Sequence, residues 1–181
     1  MKTTFSCLAL ILFMYPVFTQ SSIDIRLGTG ISNPGIRDIK PITIENEINI
    51  HHNRMLTTSL GLNYGMGRNK VFEFISSFQG NANLLLSPFG MDQAVDIRLG
   101  SGFSYWHRLE SLLSDAGTPS HIPLENYSFN QLGINAIAET SFALTSKTLF
   151  GVKFMGQWYK KRQYLFTVLL KYGIQLKWSI G

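Results

Sequence analysis

Eight segments of this chain alternate apolar and polar residues position by position. The clearest runs from Tyr164 to Trp178, where Tyr164, Phe166, Val168, Leu170, Tyr172, Ile174, Leu176 and Trp178 take every second place. Thr167, Lys171, Gly173, Gln175 and Lys177 fill the places between, and only Leu165 and Leu169 break the rule. Successive side chains of a β-strand point to opposite faces, so the pattern predicts one long strand with one apolar face.

Seven earlier runs repeat the pattern. The first, from Ile23 to Ile31, sets Ile25 and Leu27 against Asp24 and Arg26. The second sets Ile42, Ile44, Ile48 and Ile50 against Thr43, Glu45, Glu47, Asn49 and His51, with Asn46 on the apolar side. The third carries Leu56, Leu60, Leu62, Tyr64 and Met66, and the fourth, shorter, carries Ala82, Leu84 and Leu86. The fifth sets Val95, Ile97, Leu99, Phe103 and Tyr105 against Asp96, Arg98, Gly100, Gly102 and Ser104. The sixth and seventh set Leu132, Ile134, Ala136, Ala138 and Phe142, then Phe150, Val152, Phe154 and Trp158, against polar faces that include Glu139 and Lys153. Ile137 and Met155 sit on those polar faces.

The connections divide in two. Those at 51–54, 88–92, 144–147 and 159–162 are short, and those at 32–40, 67–79 and 107–127 are longer. The stretch "VFEFISSF" at 71–78 competes with the fourth strand or extends it, and "HRLESLLSD" at 107–115, the one segment with helical character, is placed in a loop. An even number of strands with loops segregated by length predicts an all-β, eight-stranded antiparallel up-and-down transmembrane barrel.

The first residues read differently. Met1-Lys2, an apolar stretch from Phe5 to Phe18 and the small polar residues "TQSS" form a secretory signal pattern. Residues 1–21 are expected to be removed, with cleavage between Thr19 and Ser22, leaving 22–181 as a single domain. The only cysteine, Cys7, precedes the apolar stretch, so no disulfide is expected in the mature chain. The formal net charge of +5 is scattered without a like-charge block, which argues against a nucleic-acid partner. Charged residues make up 15% of the chain against about 25% in ordinary soluble domains, which favours a chain with little water-facing surface.

Together, the leader pattern, the eight alternating runs and the aromatic-ended last strand resemble the small bacterial outer-membrane β-barrel proteins, the OmpA-, OmpX- and OmpW-like group. The resemblance covers about residues 22–178 and rests on architecture, with no residue-specific motif. It implies a Gram-negative outer-membrane location, a monomer in outer-membrane lipid, and assembly by the outer-membrane insertion machinery. Members of the group end their last strand in an aromatic residue that this machinery reads. Tyr172, Ile174, Leu176 and Trp178 match that pattern, although Ser179-Ile180-Gly181 follow the aromatic.

In lipid the apolar face must point outward. The polar faces then put Asp24, Glu45, Glu47, Asp96 and Glu139 inside with Arg26, Arg98, Lys153, Lys171 and Lys177. Five acids against five bases in a lumen only wide enough for side chains predict an ion network and no open pore. Tyr64, Tyr105, Trp158 and Tyr164 are expected in an aromatic girdle near the strand ends on the longer-loop side. The alternatives are a soluble secreted barrel of lipocalin type, whose aliphatic rows would line a ligand cavity, a lipid-modifying enzyme, and a small transport pore.

Sites for chemistry are sparse. The pair His51-His52 lies in an expected solvated turn, without further metal ligands. His107 and Ser111, near Glu110, are the only residues that suggest a nucleophile and base, and their spacing lacks the close His-x-Ser arrangement of outer-membrane lipid hydrolases. No catalytic, cofactor or metal site is expected.

Overall fold

The computed structural model describes residues 22–35, 39–69, 73–91, 94–113, 124–160 and 163–176. Eight antiparallel strands close into one barrel in chain order. They are β1 (Ser22–Asn33), β2 (Ile42–His51), β3 (Leu56–Asn69), β4 (Glu73–Leu86), β5 (Val95–Leu113), β6 (Leu124–Ala143), β7 (Thr148–Tyr159) and β8 (Tyr164–Leu176). The strand count and topology read from the alternation therefore hold. The expected leader, with Cys7, lies outside the described residues, as do Lys177 and Trp178.

The register fixes the barrel's size. Hydrogen-bonded partners run from Ile23 through Ile50, Thr58, Leu84, Ser101, Ala136, Gly156 and Phe166 back to β1 at Asn33, a shift of ten residues. Ten steps of about 3.3 Å along the strands over eight spacings of about 4.8 Å around them give a strand tilt of about 40°. A barrel this narrow holds side chains and little else.

Closure makes glycine necessary where strands approach closely. A Cβ on Gly30 would stand 1.8 Å from the Val168 carbonyl oxygen, and one on Gly102 would stand 2.1 Å from that of Ala82. Gly80 faces outward with only the Leu62 side chain in reach, at 4.0 Å.

The two faces are inverted relative to a soluble protein. Leu27, Ile44, Leu62, Leu84, Ile134 and Leu170 all point outward and are exposed, while Asp24, Glu45, Glu47, Glu139, Lys153 and Lys171 are buried. This overturns the lipocalin-type alternative, because the aliphatic rows line no internal cavity. The residues that broke the alternation also find their place. Ile137 and Met155 pack with Leu85 inside the barrel, Leu165 packs with Trp106 and Tyr159, and Leu169 is fully buried. They form apolar patches of the lumen wall. Asn46 points outward between Leu27 and Leu62.

Three sequence-based boundaries need correction. The expected loop at 67–79 is mostly strand, since β3 runs to Asn69 and β4 starts at Glu73. The fourth strand is therefore long, and residues 73–78 of "VFEFISSF" extend it, with Val71 and Phe72 outside the described residues. Within the expected loop at 107–127, residues 107–113, most of the segment given helical character, continue β5 to Leu113 and residues 124–127 begin β6, while 114–123 lie outside the described residues. The asymmetry between the barrel's ends thus lies in strand length. β3, β4, β5 and β6 rise past β1, β2, β7 and β8 at the end opposite the turns 52–55, 87–91 and 144–147. Gly90, at φ 81°, allows the tight backbone of the middle turn.

Candidate functional site

The barrel positions charged side chains by bringing distant strands face to face across its lumen. Arg26 on β1 binds both oxygens of Asp24 through Nε and Nη2, each at 2.8 Å. Its Nη1 turns to Glu139 on β6 and to Ser141 Oγ at 2.8 Å. Lys153 on β7 reaches across to β2, placing Nζ 2.8 Å from Glu45 Oε1 and against Glu47. Lys171 on β8 joins the same carboxylates, at 2.6 Å from Glu47, 3.3 Å from Glu45 and 3.3 Å from Glu139. Arg98 on β5 binds Asp96 at 2.5 Å and lies within 4.0 Å of Asp24 and Glu139.

Nine of the ten charged residues assigned to the lumen from the sequence therefore meet in one continuous network, and the tenth, Lys177, is outside the described residues. Every carboxylate in it has a cationic partner, which is the condition for burying charge at tolerable cost.

Two members escaped the sequence reading. His51 is not in a solvated turn: it ends β2, is buried, and sets Nε2 2.8 Å from Asp24 Oδ2 and Nδ1 2.9 Å from Thr57 Oγ1. Only the neighbouring His52 is exposed. Asn49 donates through Nδ2 to Asp24 and Glu47, both at 2.8 Å. The signal for both was their inward phase in the second strand.

Above the ions the lumen becomes neutral and then aromatic. Gln157 donates to Asn81 at 2.9 Å, and the Ser32 hydroxyl lies 2.6 Å from Thr43 and 2.9 Å from Thr167. The Trp106 and Tyr159 rings pack at 4.8 Å between centroids, tilted by 36° to one another. Next to them the Arg108 guanidinium lies 4.4 Å from the Trp106 ring centre and 4.8 Å from that of Phe129. Glu110 pairs with Arg108 at 2.5 Å, as an ion pair rather than an aligned hydrogen bond. The Arg108–Glu110 pair was missed because 107–127 was read as a loop, whereas the alternation places Thr43, Asn81, Gln157 and Thr167 on polar faces.

Tyr64, Tyr105, Trp158 and Tyr164 all point outward. Tyr105 is mid-strand in β5 rather than near its end, because β5 is longer than its sequence pattern suggested. On the cylinder defined by the register the four rings still fall within about 6 Å of one height. Phe142, Phe150 and Tyr172 lie outward near the tight-turn end. Tyr172, Ile174 and Leu176 form an exposed apolar row at the end of β8.

The one catalytic candidate fails on geometry. His107 and Ser111 lie four residues apart on the same face of one strand, about 13 Å along it, where a base and nucleophile need hydrogen-bond reach. His107 Nδ1 instead contacts Asn130 Oδ1 at 2.6 Å.

No protein-family model matches the chain, and no curated protein matches its sequence. Solved structures with the same fold do. A major outer membrane protein from Thermus thermophilus superposes with a TM-score of 0.66 at 10% identity, covering 87% of this chain and 100% of that one. The N-terminal β-barrel domain of Pseudomonas aeruginosa OprF gives 0.62 at 12% identity, covering 87% and 98%. Neisserial surface protein A gives 0.62 at 12% identity, covering 88% and 98%. At these identities the likeness is one of fold: the chain has the closed eight-stranded architecture seen in outer-membrane barrels.

Proposed function

We propose that this chain is an integral protein of a bacterial outer membrane, a monomeric barrel anchored in lipid with a structural or surface-interaction role. The carrying observation is the inverted polarity of a closed barrel, apolar outside and charged inside. Closure pairs each strand on both sides along the belt, as a bilayer core demands. The outward rows from Ile25 to Ile31, Ile42 to Ile50 and Leu170 to Leu176 then contact acyl chains. The aromatic rings at one height mark one lipid–water boundary, with the tight turns on the periplasmic side and the extended β3–β6 end outside the cell.

The lumen supports a closed barrel. Arg26, Lys153 and Lys171 span it to Glu45, Glu47 and Glu139, so an ion would have to displace paired charges to pass. Residues 1–21 would act as the export signal, and the apolar row ending in Tyr172, Ile174, Leu176 and Trp178 would be read by the insertion machinery. Expression of the full chain in a Gram-negative host tests the reading. The expected result is recovery in the outer-membrane fraction with migration on a denaturing gel that shifts on heating. Recovery as a soluble periplasmic protein would contradict it.

A further inference from the structure

Asn46 breaks the outward apolar face of β2. Its side chain is exposed among aliphatic neighbours, between Leu27 on β1 and Leu62 on β3. On the cylinder set by the register it stands at mid-belt, about 10 Å below the mean level of the four girdle rings and about 10 Å above that of Phe142, Phe150 and Tyr172. It is the one carboxamide facing outward at that depth among the described residues, and it makes no side-chain hydrogen bond to any of them. The outward hydroxyls of Thr29 and Ser101 can each share a strand carbonyl, but an amide needs a donor as well as an acceptor. The ladders on both sides of β2 take the neighbouring N–H groups, so the amide oxygen has no local donor. Acyl chains supply neither partner, and an unsatisfied amide in hydrocarbon is costly.

The surface around Asn46 is self-complementary about a two-fold axis. With the barrel unrolled, the register stacks Ile25, Asn46 and Tyr64 in one column along the membrane normal, about 8 Å apart and within about 1 Å laterally. Leu27 and Ile44 flank the column on one side and Ile48 and Leu62 on the other, all four exposed. Two barrels in one membrane share one orientation, so a two-fold axis between them must run along the normal. An axis along this column sets Leu27 of one copy against Ile48 of the other, and Ile44 against Leu62, at depths that agree within about 2 Å. It also brings the two Asn46 amides together at one depth, each supplying the donor and the acceptor that the other lacks. Past Leu62 the wall falls into an outward hollow of about 720 Å³ whose lining includes the small residues Gly80 and Ala82, which leaves room for a second convex wall to approach.

We propose that this chain pairs with a second copy of itself in the membrane along the Ile25–Asn46–Tyr64 column, with the two Asn46 side chains hydrogen-bonded across the axis. The proposal rests on the membrane-barrel reading above for the position of the lipid and goes beyond it. Each chain still closes its own monomeric barrel, and two such barrels associate reversibly. The contact between two convex walls is narrow, so the amide pair decides whether it persists. A lipid is a poor occupant, because its polar groups lie at the boundaries, about 10 Å from Asn46.

Thiol cross-linking of single-cysteine variants in lipid vesicles, with Cys7 replaced by serine, tests this. The reagent is a bis-maleimide of about 8 Å reach, suited to walls packed about 10 Å apart. Tyr64→Cys lies on the column, and Tyr164→Cys lies within about 6 Å of the same depth on the opposite wall of the barrel. The first should give a covalent dimer at least about tenfold more readily than the second. Adding Asn46→Leu to Tyr64→Cys should lower the dimer yield by about threefold to thirtyfold, and Asn46→Gln, which keeps the amide, should retain most of it. No dimer through position 64, equal cross-linking through position 164, or a yield that Asn46→Leu leaves unchanged overturns the proposal. Heat-shifted migration of each variant reports separately on the membrane-barrel reading, so a barrel that folds without pairing is told apart from one that does not enter the membrane.

Discussion

Lys153 and Glu45 are 108 positions apart in the chain, yet the lysine Nζ lies 2.8 Å from the carboxylate with both side chains wholly removed from solvent. The pair exists only because β7 and β2 face each other across a lumen narrow enough for one lysine to span. It ties barrel closure to charge burial.

Removing one member of that network should therefore cost more than removing a matched pair. Lys153→Met leaves Glu45 and Glu47 sharing Lys171, and should destabilise the barrel by about 3–5 kcal/mol in denaturant unfolding from lipid vesicles. Adding Glu45→Gln should restore part of that loss. Equal stability of wild type and Lys153→Met would show that the contact carries no weight.

Outward positions should be sensitive to charge by depth. Leu170→Arg, in the middle of the belt, should lower stability in bilayers by about 2–4 kcal/mol, and Tyr64→Arg, at the aromatic level, by about 0–1 kcal/mol. Folding equilibria in vesicles measure both. Equal costs at the two depths would argue against the placement of the bilayer.

Two glycine substitutions separate close strand approach from open surface. Gly30→Ala drives a methyl into the Val168 carbonyl and should destabilise by about 1–3 kcal/mol. Gly80→Ala enters open space near Leu62 and should be neutral or stabilising by less than about 1 kcal/mol. The same unfolding assay ranks them.

How much of this was legible in the sequence follows from where lipid imposes its demand. Within the belt every second residue must be apolar, so the strand centres and the inward phase of Glu45, Lys153 and Lys171 could be read from period two alone. Above the belt that demand lapses. Glu73, Ile75 and Ser77 point inward while Phe74 and Phe78 point outward, so apolar residues fall on both faces and β4 looked like a loop. Trp106 and Arg108 were hidden for the same reason. Which acid meets which base depends on the register and on closure, which no local pattern carries: nothing near Arg26 names Glu139.

The closed lumen predicts electrical silence. The purified barrel in planar bilayers should add no stepwise conductance, because Lys171 and Arg26 join carboxylates on β1, β2 and β6 across the passage. A stable channel of reproducible step size would contradict the account of the network.

The central claim is that the apolar rows face lipid and the β5–β6 end faces water. Spin labels at single cysteines, Leu170→Cys in the belt and Asn126→Cys on the edge of β6, with Cys7 replaced by serine, test it in reconstituted membranes. The account predicts that the label at 170 collides freely with oxygen and little with a water-soluble nickel chelate, and that the label at 126 shows the reverse. Ready access of the chelate to position 170 would contradict it.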